Sequence, residues 1–272
     1  PLVILWIIRK FNISKWEYRD IILWGILVFF TFNNPYIGLG AIGFMLSTAM
    51  FFLISKYYNV AKKILIVGIT AIVIPLLYFK NFDNVTDRIK EQWGYFFYQA
   101  SIEGLFTPNG SLINQLYQKF FHIEHNPQIE SWINLGIVTT ILLLTFIVFI
   151  ILSLIKKNKF ELDKPLIFII LGGVLMFAYA AGWLFAPFKE SFIEDKLGFL
   201  LMFKAVARLA WSTYFVLSIF AVVFFSKITE NSCKCCLYIP LGIFIFFNYW
   251  EIHDYILPNF ENKYHDNFFS KK

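Results

Sequence analysis

Uncharged apolar stretches alternate with short polar connections along this chain, and the lengths of those stretches predict its elements. The clearest runs from Ile133 to Ile155 without a single charge. As a helix it is about 34 Å long, enough to cross the hydrocarbon of a bilayer. Pro165 to Pro187 is equally free of charge, and Gly172, Gly173 and the stretch Ala178 to Gly182 give it a small-residue face suited to close helix packing. Tyr36 to Ser55, Ile64 to Phe79, Ala210 to Ser226 and Leu237 to Trp250 follow the same pattern. The last three are short and need interfacial anchors or local thinning of the bilayer. Ile21 to Phe32 is shorter still. Asn33-Asn34-Pro35 follows it at once, and a proline biases the residue before it away from helical geometry, so Ile21 to Ser55 reads as a tight helical hairpin. The pattern predicts an all-α, polytopic transmembrane bundle of about seven to eight helices over 1–250. A long outer loop, 80–132, is expected to carry short amphipathic interfacial helices, and 251–272 to open an extracytoplasmic C-terminal segment.

Composition fixes the solvent that this pattern answers to. Of 272 residues 58% are hydrophobic, 21% aromatic and only 15% charged, and 34 are Phe. A water-soluble domain of that composition would lack the polar surface to cover itself. The apolar stub Pro1 to Ile8 enters charge without a basic n-region or a small-residue cleavage site, so the natural N-terminus is expected upstream of Pro1. A net charge of +6 invites a nucleic-acid partner, but the cations are scattered among many connections and form no basic stripe, which argues against one. Membrane lipid is the partner implied.

Threading the spans puts the connections alternately on two sides, and the cations distinguish the sides. Connections 9–20, 56–63, 156–164 and 226–236 carry 13 Lys and Arg in 40 residues, whereas 80–132, 188–209 and 251–272 carry 11 in 97. By the positive-inside rule the denser set faces the cytoplasm. Loops 80–132 and 188–209 and the C-terminus are then outside a bacterial plasma membrane, together with His122, His125, His253, His265 and 13 of the 18 acidic residues. Cys233, Cys235 and Cys236 fall on the reducing side, in a spacing that matches no zinc pattern.

Candidate chemistry is sparse. His122-Ile123-Glu124-His125 places two imidazoles three residues apart, not the HExxH spacing that brings two ligands and a base onto one helix face, and an interfacial turn accounts for it. Glu130 lies just before an uncharged helix, where a carboxylate either complements the positive helix end or contacts a polar substrate group. Arg208, in Phe203-Lys204-Ala205-Val206-Ala207-Arg208-Leu209-Ala210-Trp211, sits where an aromatic-rich span begins. Its planar fork there either snorkels to ordinary lipid or grips a phosphate with two hydrogen bonds. No phosphate-binding loop, nucleophile elbow or zincin helix is present in the sequence, so no cofactor, no metal and no catalytic residue is assigned.

Three segments taken in order carry a resemblance: FNNPYIGLGAIGFML, IESWINLGIV and AVARLAWSTYF. Together they resemble the C-terminal half of bacterial glycosyltransferase-C (GT-C) membrane proteins, whose members show a "hPYl" hairpin and helix starts of the form "EGfaYLG" and "GRffWpvyY". The resemblance covers most of 20–250 and implies that Glu130, Leu135-Gly136, Arg208, Trp211 and Tyr214 occupy the corresponding motif positions. It departs from the pattern at Ser131, Ala207 and Ser212, which stand for Gly, Gly and Pro. What it implies is transfer of a sugar from a polyprenyl-phosphate carrier on the outer face, in cell-envelope glycan or glycolipid synthesis. The family's catalytic Asp or Glu belongs to a first outer loop that would precede Pro1. EHNPQIESWINLGIVTT also resembles a segment of O-antigen ligases and polymerases, and that match would make His125 functional. A structural membrane protein or a transporter is the remaining alternative. The spans offer almost no ionisable groups for a transporter.

Overall fold

In the computed structural model the helices follow one another as α1 (Leu2–Asn12), α2 (Tyr18–Asn33), α3 (Pro35–Ile54), α4 (Tyr58–Phe82), α5 (Ile102–Phe106), α6 (Leu112–Phe121), α7 (Ile137–Ile155), α8 (Lys164–Ala180), a 3-10 helix over Val206–Ala210, and α9 (Trp211–Thr229). The structure describes residues 1–13, 15–82, 99–106, 111–121, 135–155, 163–188, 206–229, 242, 245–247, 249–251 and 253, and no strand occurs among them. These residues fall into two compact units, Pro1–Ala100 with Leu162–Val216 and Ser101–Glu161 with Leu217–Lys272.

In the first unit the predicted hairpin is built as its sequence dictates. α3 begins at Pro35 itself, whose ring presets φ and whose missing N–H is not needed at a helix start. Asn34 closes the turn twice, its N–H donating to the Phe30 carbonyl at 2.7 Å and its Oδ1 accepting from the Ile37 N–H at 3.4 Å. At Gly38 the two helices come so close that an added Cβ would lie 2.5 Å from the Thr31 backbone nitrogen. The turn from α3 to α4 is a Schellman motif: Tyr57 N–H reaches Phe52 O at 2.8 Å, and Lys56 N–H reaches Leu53 O at 3.0 Å. Lys56 occupies its left-handed position at φ 65°, where glycine is usual.

α3 is the central helix of this unit, in contact with α2, α4, α8 and the 3-10 helix, while α1 lies on α8 and α4. Ile42, Met45, Ala49 and Phe52 of α3 are fully enclosed, as are Ile64 and Ala71 of α4. The small-residue face predicted on α8 is used: Gly172 lies against Thr48 of α3, and Gly173 against Val216 of α9. The Gly173 approach lets Thr213 Oγ1 donate to the Gly173 carbonyl at 2.7 Å, an interhelical hydrogen bond of the kind that ties helices together in lipid. α8 stops at Ala180 rather than running to Pro187. Gly182 turns left-handed at φ 72°, with Gln99 packed against it, and Ala180 O accepts from Ala100 N–H at 2.8 Å.

In the second unit, α5 and α6 are the short helices expected within 80–132, and α7 starts at Ile137 instead of Ile133. Gly136, at φ 76°, supplies a left-handed turn just before it. Leu135 is buried and donates its N–H to Leu105 O at 3.0 Å, while Gly136 O accepts from both the N–H and the hydroxyl of Thr140. Phe146 of α7 meets Phe220 and Phe224 of α9 edge-on, at 4.5 and 4.6 Å between ring centres.

Three stretches among the described residues have the length and apolarity to cross a membrane: Tyr36–Ile54, Tyr58–Phe82 and Val206–Phe225. Hydropathy alone counts seven or eight. Val138–Val148 and Lys164–Ala180 are shorter apolar helices, and most of Leu237 to Trp250 lies outside the described residues. α4 turns Ile66, Ile69, Val73, Ile74 and Leu77 outward. In water that would be an unsustainable apolar patch, whereas against hydrocarbon it is an ordinary solvent-facing surface. The α4 helix also tolerates Pro75 in its interior, as helices in lipid do.

Candidate functional site

Arg208 stands in the 3-10 helix among four buried neighbours, Val206, Ala207, Leu209 and Ala210. Small side chains at 207 and 210 let this segment press onto the bundle; Leu209 reaches Gly40 of α3, where an added Cβ would sit 3.2 Å from its methyl group. Ser212 Oγ donates to Leu209 O at 2.9 Å and Thr213 is tied to Gly173, so the junction between the 3-10 helix that carries the arginine and α9 is fixed from two sides. The Arg208 guanidinium carbon then lies 5.3 Å from the centre of the Tyr36 ring, within reach of a cation–π contact.

Tyr36 and Arg208 share the wall of a cavity of about 310 Å³ with Ile4, Phe44, Trp211 and Ser212, and the wall is almost entirely apolar. The hairpin segment and the α9 start, separate in sequence, are thus brought to one place within the first unit. Trp211 lines the cavity and is partly exposed, whereas Tyr214 does not line it; its ring packs on Phe215, 5.1 Å away. His125 and Glu130 lie outside the described residues. Tyr36 was not singled out as a site residue from sequence, although the motif containing it was. One cation and a few polar atoms set in an apolar hollow suit an amphipathic anion: a phosphate or carboxylate head with a hydrocarbon tail. Among the described residues no group of three His, Cys, Asp or Glu side chains is placed to hold a metal.

A second polar constellation sits at the other end of α2, and sequence reasoning saw it only as positive charge. Lys10, fully buried, donates to Asp20 Oδ1 at 2.8 Å and Lys15 O at 2.9 Å and lies 3.5 Å from Glu17 Oε2. Asp20 also accepts from Trp6 Nε1 at 2.7 Å and from the Glu17 N–H at 2.8 Å, which makes it half of the capping box that starts α2. Arg9 grips Glu17 with two hydrogen bonds of 2.8 Å. The available signal was Trp6 and Lys10 one turn apart, on the α1 face that faces the N3 carboxylate of α2.

The bidentate bond from Arg9 draws Glu17 from its ordinary value of 4.5 down to about 2, against the opposing effect of burial and with help from the charge of Lys10. A carboxylate held lower in the folded state adds stability at pH values above 4.5, and that stability is lost as pH falls towards 2. Thermal unfolding in detergent across that window should therefore show a decline in wild type that is smaller in Glu17→Gln. Equal slopes would mean that the pair contributes nothing.

No curated protein and no solved structure matches the chain. A family match covers residues 2–246, which include α1 to α9. The chain belongs to the family described as Domain of unknown function (DUF6311).

Proposed function

We propose that this protein holds the phosphate of a polyprenyl-linked sugar carrier in the Tyr36–Arg208 cavity and acts as a GT-C-like glycosyltransferase in cell-envelope glycan or glycolipid synthesis. The observation that carries the reading is the meeting of Arg208 and Tyr36 in one apolar cavity. Those residues come from two of the three segments on which the GT-C resemblance rests. The guanidinium supplies a planar fork for phosphate oxygens, in surroundings where low dielectric strengthens the contact. The apolar lining suits the first isoprene units, and Trp211 fixes the depth of the helix start at a headgroup boundary. In this reading the cation-dense Lys10 end of α2 faces the cytoplasm of a bacterial plasma membrane, so the Arg208 end faces out. Among the described residues the cavity wall carries no carboxylate and no imidazole, so its part in this reading is to hold the carrier phosphate.

Binding of a polyprenyl-phosphate analogue in nanodiscs tests the reading. Arg208→Lys keeps the charge but loses the fork, and should weaken binding roughly tenfold, with Arg208→Ala weaker still. Tyr36→Leu removes the ring beneath the guanidinium and should weaken it less. Lys204→Ala controls for nearby charge. Equal affinity across all of these proteins would remove the cavity as a carrier site.

A further inference from the structure

Trp6 bonded to Asp20 and Arg9 bonded to Glu17 tie α1 to the start of α2, and beside those bonds a groove of about 270 Å³ runs between the two helices. Its wall is ordered along its length. On α1 the groove is lined by Leu2, Leu5 and Arg9, and on α2 by Arg19, Ile22 and Ile26; these spacings of three and four residues give each helix one continuous stripe. Because α1 ends where α2 begins, both arginines stand at the same end, and the apolar side chains extend away from them over about 10 Å of helix. The floor is closed by Trp6 and Leu23, which are buried, while Leu2, Leu5 and Ile22 on the rims are each more than half exposed. Both cations reach the groove from accessible positions: the Arg9 side chain is 35% exposed, and Arg19 is exposed.

The donors at that end are oriented but not exhausted. Arg9 gives Nε and Nη2 to Glu17, which fixes the plane of the guanidinium and leaves its Nη1 edge for another acceptor. Arg19 forms no ion pair among the described residues; its Nε donates to the Tyr18 hydroxyl at 3.3 Å, and its two terminal nitrogens remain. Neither Glu17 nor Asp20 lines the groove, and each is already matched by a cation, Arg9 and Lys10 respectively. From this arrangement we infer that Arg9 and Arg19 hold the phosphate of an anionic phospholipid whose acyl chain lies along the α1–α2 groove. Charge complementarity selects that occupant: two guanidinium groups close one end of an apolar trough, and anionic headgroups are drawn to basic pockets between membrane helices. None of the residues lining the groove lines the Arg208 cavity, so the two sites can fail separately.

The test is native mass spectrometry of the protein released from nanodiscs of mixed phosphatidylglycerol and phosphatidylcholine. Wild type should retain phosphatidylglycerol in excess. Arg19→Gln, at an exposed position with no carboxylate partner among the described residues, should reduce that excess roughly tenfold, as expected for one charge-assisted contact. Leu5→Trp leaves both arginines in place and fills the apolar end of the groove, and should reduce it as well. Lys62→Gln removes an exposed cation that does not line the groove and should keep the full excess. In parallel, thermal melting in detergent is measured with inorganic phosphate alone and with phosphatidylglycerol added. A phosphatidylglycerol-specific rise in wild type that Arg19→Gln and Leu5→Trp both lack supports the site. Equal retention of the two lipids by wild type overturns the inference whatever the variants do, as does a wild type recovered as a lipid-free dimer, which would give the groove to a second copy. An Arg19→Gln protein that keeps the full excess removes the headgroup contact, and a Leu5→Trp protein that keeps it removes the acyl chain from the groove; either overturns the site. A loss in Lys62→Gln as large as in Arg19→Gln reduces the effect to overall charge, and a melting rise produced equally by inorganic phosphate assigns the arginines to a soluble anion; both overturn the lipid.

Discussion

Replacing Asp20 by alanine is expected to destabilise the first unit by about 3–5 kcal/mol, the usual consequence of stranding a buried charge. Lys10 is fully enclosed, and it would keep only the Lys15 carbonyl at 2.9 Å and Glu17 at 3.5 Å. Trp6 Nε1 would lose its acceptor, and α2 would lose the carboxylate that caps the Glu17 N–H. Asp20→Asn should fall between the two, because an amide oxygen still accepts from one donor while the charge is gone. The double change Lys10→Met with Asp20→Leu should recover much of the loss, since an apolar pair leaves neither charge uncompensated. Unfolding of the four proteins in detergent measures all three differences. An Asp20→Ala protein as stable as wild type would show that the pair is solvated in the native state.

Gly38→Ala should open the α2–α3 hairpin. The new Cβ would stand 2.5 and 2.6 Å from the backbone nitrogen and Cα of Thr31, and backbone atoms cannot rotate away as the end of a side chain can. Overpacking of this kind costs about 1–3 kcal/mol. Thr31 is buried and its hydroxyl is tied to Leu27 O at 2.7 Å, so relief requires the helices to separate. Tyr36 lies two residues from the contact, on the wall of the Arg208 cavity, so if the cavity holds the proposed carrier, its binding should weaken along with stability. The same substitution at Gly25 is an internal control: nothing lies within 4 Å of its added Cβ, and replacing a mid-helix glycine by alanine should stabilise by about 1 kcal/mol. Gly38→Ala and Gly25→Ala shifting stability in the same direction would refute the close approach.

Sequence determined what local physics determines. Helices are runs whose side chains suit one solvent, so charge-free stretches found α3, α4, α7, α8 and α9. Asn33-Asn34-Pro35 announced the hairpin because proline and asparagine act on their own backbone, and Gly172-Gly173 announced close packing because a missing side chain leaves room whatever fills it. Where tertiary contacts override local preference, the sequence misled. α4 begins at Tyr58, not Ile64, because Lys63 is buried beside Trp16 where hydropathy treats lysine as a boundary. α8 ends at Ala180 and α7 starts at Ile137 because Gly182 and Gly136 turn left-handed, a backbone fact that a charge-free run conceals. Only the tertiary structure decided that Tyr36 faces Arg208, and that Lys10, Asp20 and Trp6 form one buried network. Both are meetings of residues on different helices. Hydropathy reports how each residue meets solvent and carries no information about which distant residue it will touch.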